Sequence, residues 1–291
     1  MRSLIITLLA VFFTFCSVRI CSAHEEPPKT LQEKQKIENT RLKYRKAAIR
    51  KVLCYKYNYI KGEKQLPRLR TFESTYDTNG CITEQSVFRN DTLTGKTMNY
   101  YNTNFQLVTG IDFKDGRTYS GVDRYEYSDA GFIQLITELS ATYKTLGRIE
   151  YLYNPAKLNI QLIRYDSADM IEYSVEYNYA NDIQAGLCTS MIKKDRKGVM
   201  QMRVENIYNP DGSRKEKRIY KADNKLDYFF QYTYMPSGDV SEISKIDAGG
   251  TLVNRDKYIY NEQGFVTSIA SFDNKNEIQS MLEYTYYMPA R

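Results

Sequence analysis

The residue types that most often do chemistry are sparse in this chain. His24 is the only histidine, so no Ser–His–Asp relay can be assembled and no pair of imidazoles can share a metal. Cys16, Cys21, Cys54, Cys81 and Cys188 show none of the paired spacing that holds zinc. Carboxylates are abundant, and two of them flanking a glycosidic bond leave little trace in linear sequence. A two-carboxylate glycosidase is therefore an alternative reading. Most Asp and Glu fall at turn positions or on the polar side of strands, so no catalytic residue, no cofactor and no metal site can be named. The expectation is a protein that is not an enzyme.

Stepping outward from that inventory, the N-terminus reads as an export signal. Leu4 to Phe15 is an apolar run after Arg2, and Cys21-Ser22-Ala23 supplies the small residues a signal peptidase needs. Residues 1–23 are read as a cleaved signal peptide, because the run is too short to cross a bilayer as a helix. An acylated Cys21 is the alternative and the only route by which a membrane enters this reading. Secreted, periplasmic or cell-surface placement follows. Cleavage leaves Cys54, Cys81 and Cys188, enough for one internal disulfide at most. Cys54 and Cys81 flank the start of a repeat and could staple it. Cys188 aligns with Ile136, Leu162, Ile243 and Ile269 as a small buried hydrophobe.

Residues 24–70 carry fourteen Lys and Arg against five Asp and Glu, a balance of +9. The whole-chain +6, less this +9 and the +2 of residues 1–23, leaves about −5 for residues 71–291. The basic character thus belongs to one segment and not to a surface stripe, which argues against nucleic acid as a partner. Thr30-Leu31-Gln32-Glu33 fits a helix-opening capping box, and the spacing of Leu31, Ile37, Leu42, Ile49 and Leu53 predicts a helix to about Leu53. That helix is expected to lie solvated over the sheet as a cap. Tyr55, Tyr57 and Tyr59 then alternate as a strand.

From about Phe72 the chain repeats. Tyr76, Tyr101, Tyr127, Tyr153, Tyr179, Tyr208, Tyr234, Tyr260 and Tyr286 follow one another at intervals of 25, 26, 26, 26, 29, 26, 26 and 26 residues. In six cases another tyrosine stands two positions earlier: Tyr125, Tyr151, Tyr177, Tyr232, Tyr258 and Tyr284. A turn follows each anchor, best seen in Tyr208-Asn209-Pro210-Asp211-Gly212, where Pro presets the first corner and Gly takes the left-handed one. A second turn falls half a unit later, as in Asp247-Ala248-Gly249-Gly250. Each unit is two strands and two turns.

Alternation along the strands separates two faces. Leu226, Tyr228, Phe230, Tyr232 and Tyr234 share one, and Asp227, Phe229, Gln231 and Thr233 the other. The outgoing strands add Phe113, Leu139, Tyr165, Tyr220, Ile246 and Phe272 at a common slot. The fold class expected is all-β: an antiparallel meander of about eight 26-residue two-strand repeats forming a curled or spiralling sheet, with one N-terminal helix.

At Asp123-Arg124-Tyr125-Glu126-Tyr127-Ser128-Asp129-Ala130-Gly131 and Asp256-Lys257-Tyr258-Ile259-Tyr260-Asn261-Glu262-Gln263-Gly264 the sequence resembles RHS/YD repeats. The resemblance implies a spiralling β-hairpin sheet of the kind that forms shells around toxins or displays adhesive surfaces at bacterial cells. With it, the expected function is an exported binding or scaffold module for an unidentified glycan or surface protein. An outer-membrane β-barrel is a further alternative, opposed by Asp123, Asn254 and Asp256 on what would be its lipid face.

Overall fold

The computed structural model describes residues 31–180 and 186–289. Residues 1–23, read as a signal peptide, with Cys21, and also His24 and Thr30, read as a helix cap, lie outside the described residues. Helix α1 is Leu31–Lys46. It stops short of Leu53 because Ala48 turns left-handed at φ 53°, with Ala48 N–H bonding Arg45 O and Ile49 N–H bonding Tyr44 O. This is a Schellman ending with alanine where glycine is usual, which hides the stop from a sequence reader. Ile49 is buried beyond it.

Strand β1 (Lys51–Ile60) follows, then a two-residue β2 (Glu63–Lys64) that pairs only with β1, then β3 (Leu69–Tyr76). Sixteen further strands of eight to ten residues alternate direction up to β19 (Ile278–Tyr287), their lengths set by the half-unit spacing of the turns. The anchor turns work as the residue types require. In one, Asn209 N–H bonds Ser213 O and Gly212 N–H bonds Asn209 O, with Gly212 at φ +80°.

The sheet does not spiral. β1 pairs antiparallel with β3 on one side and with β19 on the other, from Lys51 opposite Tyr287 to Asn58 opposite Ser280. Leaving out β2, eighteen strands therefore close into one antiparallel barrel. This corrects both the open, curled sheet and the RHS/YD resemblance: a ring whose last strand is bonded to its first is not a spiral of hairpins. The physical cause is distributed. Every pair around the ring, apart from the closing β1–β19 pair, contains a register shift. Each bulge bends and twists its strand, and the bends add in one sense until the edges meet.

Each strand of the ring packs on its two ring neighbours. Eighteen strands about 4.8 Å apart and tilted by about 40° give a ring roughly 35 Å across between backbones.

Two placements differ from the aligned sequence. The slot facing the first tyrosine of each pair holds Ile136, Leu162, Ile243 and Ile269, and opposite Tyr177 it holds Met191. Cys188 stands opposite Tyr179, because the three extra residues of that unit precede it. Cys54 and Cys81 are both buried and both free, so no staple joins them.

Candidate functional site: the lumenal wall

The tyrosine side chains face inward. Tyr151 and Tyr258 are each 6% exposed, whereas the next residues along the strands, Leu152 and Ile259, are 43% and 54% exposed. On a curved sheet the concave side crowds its side chains and the convex side splays them apart, so the buried alternation is the lumenal one.

All the anchor tyrosines stand at one rim, at the ends of strands. There the ladder between successive hairpins stops early. Between β6 (Leu107–Lys114) and β7 (Thr118–Tyr127) the last pair towards this rim is Thr109 with Arg124. Beyond that pair, Tyr127 Oη donates to the carbonyl of Leu107 at 2.8 Å. The same bond recurs from Tyr153 to Ile133 O, Tyr179 to Asn159 O, Tyr208 to Cys188 O, Tyr234 to Arg214 O and Tyr260 to Val240 O, at 2.6–2.8 Å. The second tyrosine of each Tyr-x-Tyr is thus a clasp between hairpins. It bonds two hairpins together where the ladder between them has ended.

Helix α1 sits on this rim by its C-terminal end. Tyr44 stacks on Tyr76 with centroids 4.8 Å apart and meets Phe265 edge-on at 5.4 Å. Arg41 donates to Asn79 O at 2.8 Å and Lys43 to Gly264 O at 2.7 Å. Glu38 is bonded by Arg41, and that hydrogen bond holds its carboxyl below the usual range against the opposing effect of burial. The basic side chains that read as a solvated face are therefore partly rim contacts.

Deeper inside, the wall is polar as well as aromatic. Arg164 holds Glu138 with two bonds of 2.6 Å, reaching across Gly147 on the strand between them, whose added Cβ would lie 2.6 Å from the backbone oxygen of Tyr165. Asp112 accepts from Thr97 Oγ1 at 2.6 Å and Asp256 from Ser271 Oγ at 2.6 Å. These carboxylates are tied to local donors, an arrangement that fixes charge at the wall. Asp256 stands opposite Ile243 and Ser271, Asn254 opposite Lys245, and Asp123 opposite Gly110 and Glu138. All three thus lie on the lumenal face, and the objection that they would face lipid is withdrawn.

The outward face carries a different pattern. Arg148, Arg203 and Arg255 lie 4.0, 3.8 and 5.6 Å from the rings of Tyr165, Tyr220 and Phe272. They also reach Asp169, Asn224 and Asn276 in the far turns. The outgoing-strand aromatic slot thus belongs to the outside, not to the tyrosine face: Tyr165 pairs with Arg148, and Arg148 alternates with Tyr151 and Tyr153. Leu226 likewise leaves the tyrosine row, since a bulge sets it opposite Tyr220. Lys194–Glu176, Arg218–Glu216 and Lys96–Glu84 add ion pairs at 2.6–2.8 Å.

Among the described residues no helix is long and apolar enough to cross a membrane, which says nothing of strands. No group of three or more His, Cys, Asp or Glu among them is placed to hold a metal ion.

No family model matches the chain, and no curated protein does. Among solved structures, a porin-like protein from Bacteroides uniformis is similar over 82% of this chain and 98% of its own, at 11% identity and a TM-score of 0.44. A porin-like protein from Bacteroides vulgatus is similar over the same shares at 11% identity and a TM-score of 0.30. The structure of TcdB2-TccC3-TEV is similar over 79% of this chain and 14% of its own, at 10% identity and a TM-score of 0.31. Scores this far below 0.5 carry no argument about what the chain does.

Proposed function

We propose that this chain is a non-enzymatic β-barrel of the cell envelope, on the plan of outer-membrane barrels, with the enclosed space as its working part. The observation that carries this is closure: an even number of antiparallel strands, eighteen, joined without an edge. Rings of sixteen to eighteen strands leave an aqueous space, and a closed ring is the only sheet that leaves no unpaired backbone for lipid. The expected binding or scaffold module on a curled, open sheet is set aside, because the sheet closes.

A second reading is favoured by the outward face. Arg148, Arg203 and Arg218 lie there, and an arginine facing lipid at the bilayer midplane costs about 2–4 kcal/mol. On this reading the barrel stands in water in the envelope and its lumen holds a solute.

One experiment separates the two. The chain is expressed with residues 1–23 so that it is exported, and membranes are washed with carbonate and urea. An outer-membrane barrel stays in the pellet, needs detergent and conducts ions in planar bilayers. A water-borne barrel is released by the wash and runs as a single species without detergent. Insoluble material that neither conducts nor folds in detergent would sink both readings.

A further inference from the structure

The hairpin of β13 (Met200–Tyr208) and β14 (Arg214–Lys221) departs from its sister units at three lumenal positions. Six residues after the anchor, where Ile82, Leu107, Ile133, Val240 and Val266 stand and one unit has Asn159, it holds Arg214. Asn206 takes the place of the first tyrosine of Tyr-x-Tyr. Lys217 faces it where an aliphatic residue is usual, as Ile136 faces Tyr125. Lys217 is 2% exposed and already engaged in the wall, so the free chemistry of this hairpin rests on the other two.

Arg214 stands opposite Tyr208 at the rim, and its Cζ lies 5.7 Å from the ring centre of Tyr232. Its side chain is half-buried, and its Nε is shut off from solvent without a hydrogen-bond partner. Among the described residues no carboxylate is paired with it. Glu205 and Glu216, on the same two strands, face outward and hold Arg203 and Arg218. The turn carboxylates Asp211 and Asp239 take bonds from Ser213 and Ser237. Its polar neighbours are the phenols of Tyr208 and Tyr232, which carry no charge to balance its own. Withdrawing a guanidinium from water without an anion is costly, and the sister units avoid that cost with apolar side chains. A local rule broken without compensation inside the chain points to a ligand that supplies it. Asn206 makes the same point from the other side: its Nδ2 donates to Cys188 O at 2.9 Å, while its Oδ1 is buried and unpaired. Asn206 lies diagonally across the strand pair from Arg214, about 7–8 Å away by cross-strand geometry. A guanidinium fork matches a carboxylate with two bonds, the amide oxygen accepts one hydroxyl, and the phenols flank an apolar ring between them.

We propose that Arg214 binds the carboxylate of a small ring-shaped hydroxy acid in the lumen, with Asn206 Oδ1 accepting from its hydroxyl and Tyr208 and Tyr232 flanking its ring. This rests on the reading of the lumen as the working space.

The test titrates the folded chain, in detergent if it requires it, by calorimetry with 4-hydroxybenzoate and with 4-hydroxybenzamide, which has the same shape and no charge. The acid should bind at least about tenfold more tightly. Arg214→Ile, which restores the side chain of the sister units, should melt no lower than the parent and lose that preference. Arg214→Gln should lose it too, whereas Arg218→Gln, on the outward face, should keep it. Equal binding of the two compounds by the parent, or a preference retained in either folded Arg214 variant, overturns the proposal. So does an Arg214→Ile chain that melts well below the parent, because the wall alone would then satisfy the guanidinium. A Ser271→Cys variant probed with a charged thiol reagent tells which idea has failed. Labelling above the parent shows a reachable lumen, so that an absent acid preference overturns this proposal alone; no labelling overturns the lumenal reading and this proposal with it.

Discussion

Tyr286 donates its hydroxyl to the carbonyl of Val266 at 2.8 Å, closing the seam between the last two strands at the rim where helix α1 rests. Between β18 (Val266–Asp273) and β19 the nearest ladder pair to that rim is Ser268 with Glu283. The phenol bridges the two strands beyond that last ladder pair, and the same is done at the other seams by the anchors that precede it.

Tyr286→Phe should therefore destabilise the barrel by about 1 kcal/mol, since it removes a hydrogen bond between strands. Tyr287→Phe, whose side chain is 46% exposed, should be near neutral. Urea or guanidinium midpoints of the two variants check this, and equal midpoints would refute the clasp.

Glycine substitutions should rank by what surrounds them. At Gly238 (φ +86°) an added Cβ meets nothing within 4 Å, so Gly238→Ala should cost only the left-handed backbone term, about 1 kcal/mol. At Gly80 (φ +81°) it would lie 2.3 Å from Arg41 O, which is helix backbone and cannot swing away. Gly80→Ala should lose more stability and also free α1, seen as new protease cleavage between residues 31 and 50. Identical melting shifts and intact α1 in both variants would contradict the docked helix.

Closure imposes parity. Deleting a whole unit, Asn209 to Tyr234, removes two strands and leaves an even number, so an antiparallel ring can still close. Removing only β15 (Leu226–Tyr234) with its turn leaves an odd number, and two neighbours must then run parallel. The first deletion should unfold cooperatively and the second should not. Loss of cooperativity in both would count against a ring of interchangeable units.

Acid should weaken the anchor turns. Hydrogen bonds from the Ser213 hydroxyl and then its backbone N–H hold the Asp211 carboxyl below the ordinary aspartate range. Its folded pKa is depressed, so its contribution is present above the unfolded value and fades as pH falls through the folded one. Denaturation midpoints measured between about pH 5 and pH 2 should fall less steeply for Asp211→Asn than for the parent.

Thiol chemistry should follow burial. Cys81 is pushed up to about 11, first by burial and then by the negative charge of Asp77. Cys188 is only partly covered. At about pH 8, alkylation read by mass spectrometry should mark Cys188 first, because the thiolate is the reacting form.

Much of this architecture was legible in the tyrosine register. The repeat, its two strands, the Asn209–Gly212 turn and the separation of faces all follow from local spacing, since turns and alternation are decided within a few residues. Closure was not legible. It depends on bulges at almost every pair, each hidden inside an unbroken alternation such as Phe229 to Tyr234, and on bringing together residues like Tyr57 and Glu283, bonded at 3.0 Å although 226 positions apart. The Glu138–Arg164 pair was hidden too, because its members lie 26 positions apart, on either side of the strand that carries Gly147.

The pairing of Lys51 with Tyr287 also makes the order of the staves arbitrary. A short peptide bridging those positions, with α1 removed and fresh termini opened at any of the rim turns, would describe the same cylinder. Such permuted chains would show whether assembly has a preferred starting point or can begin anywhere on the circle.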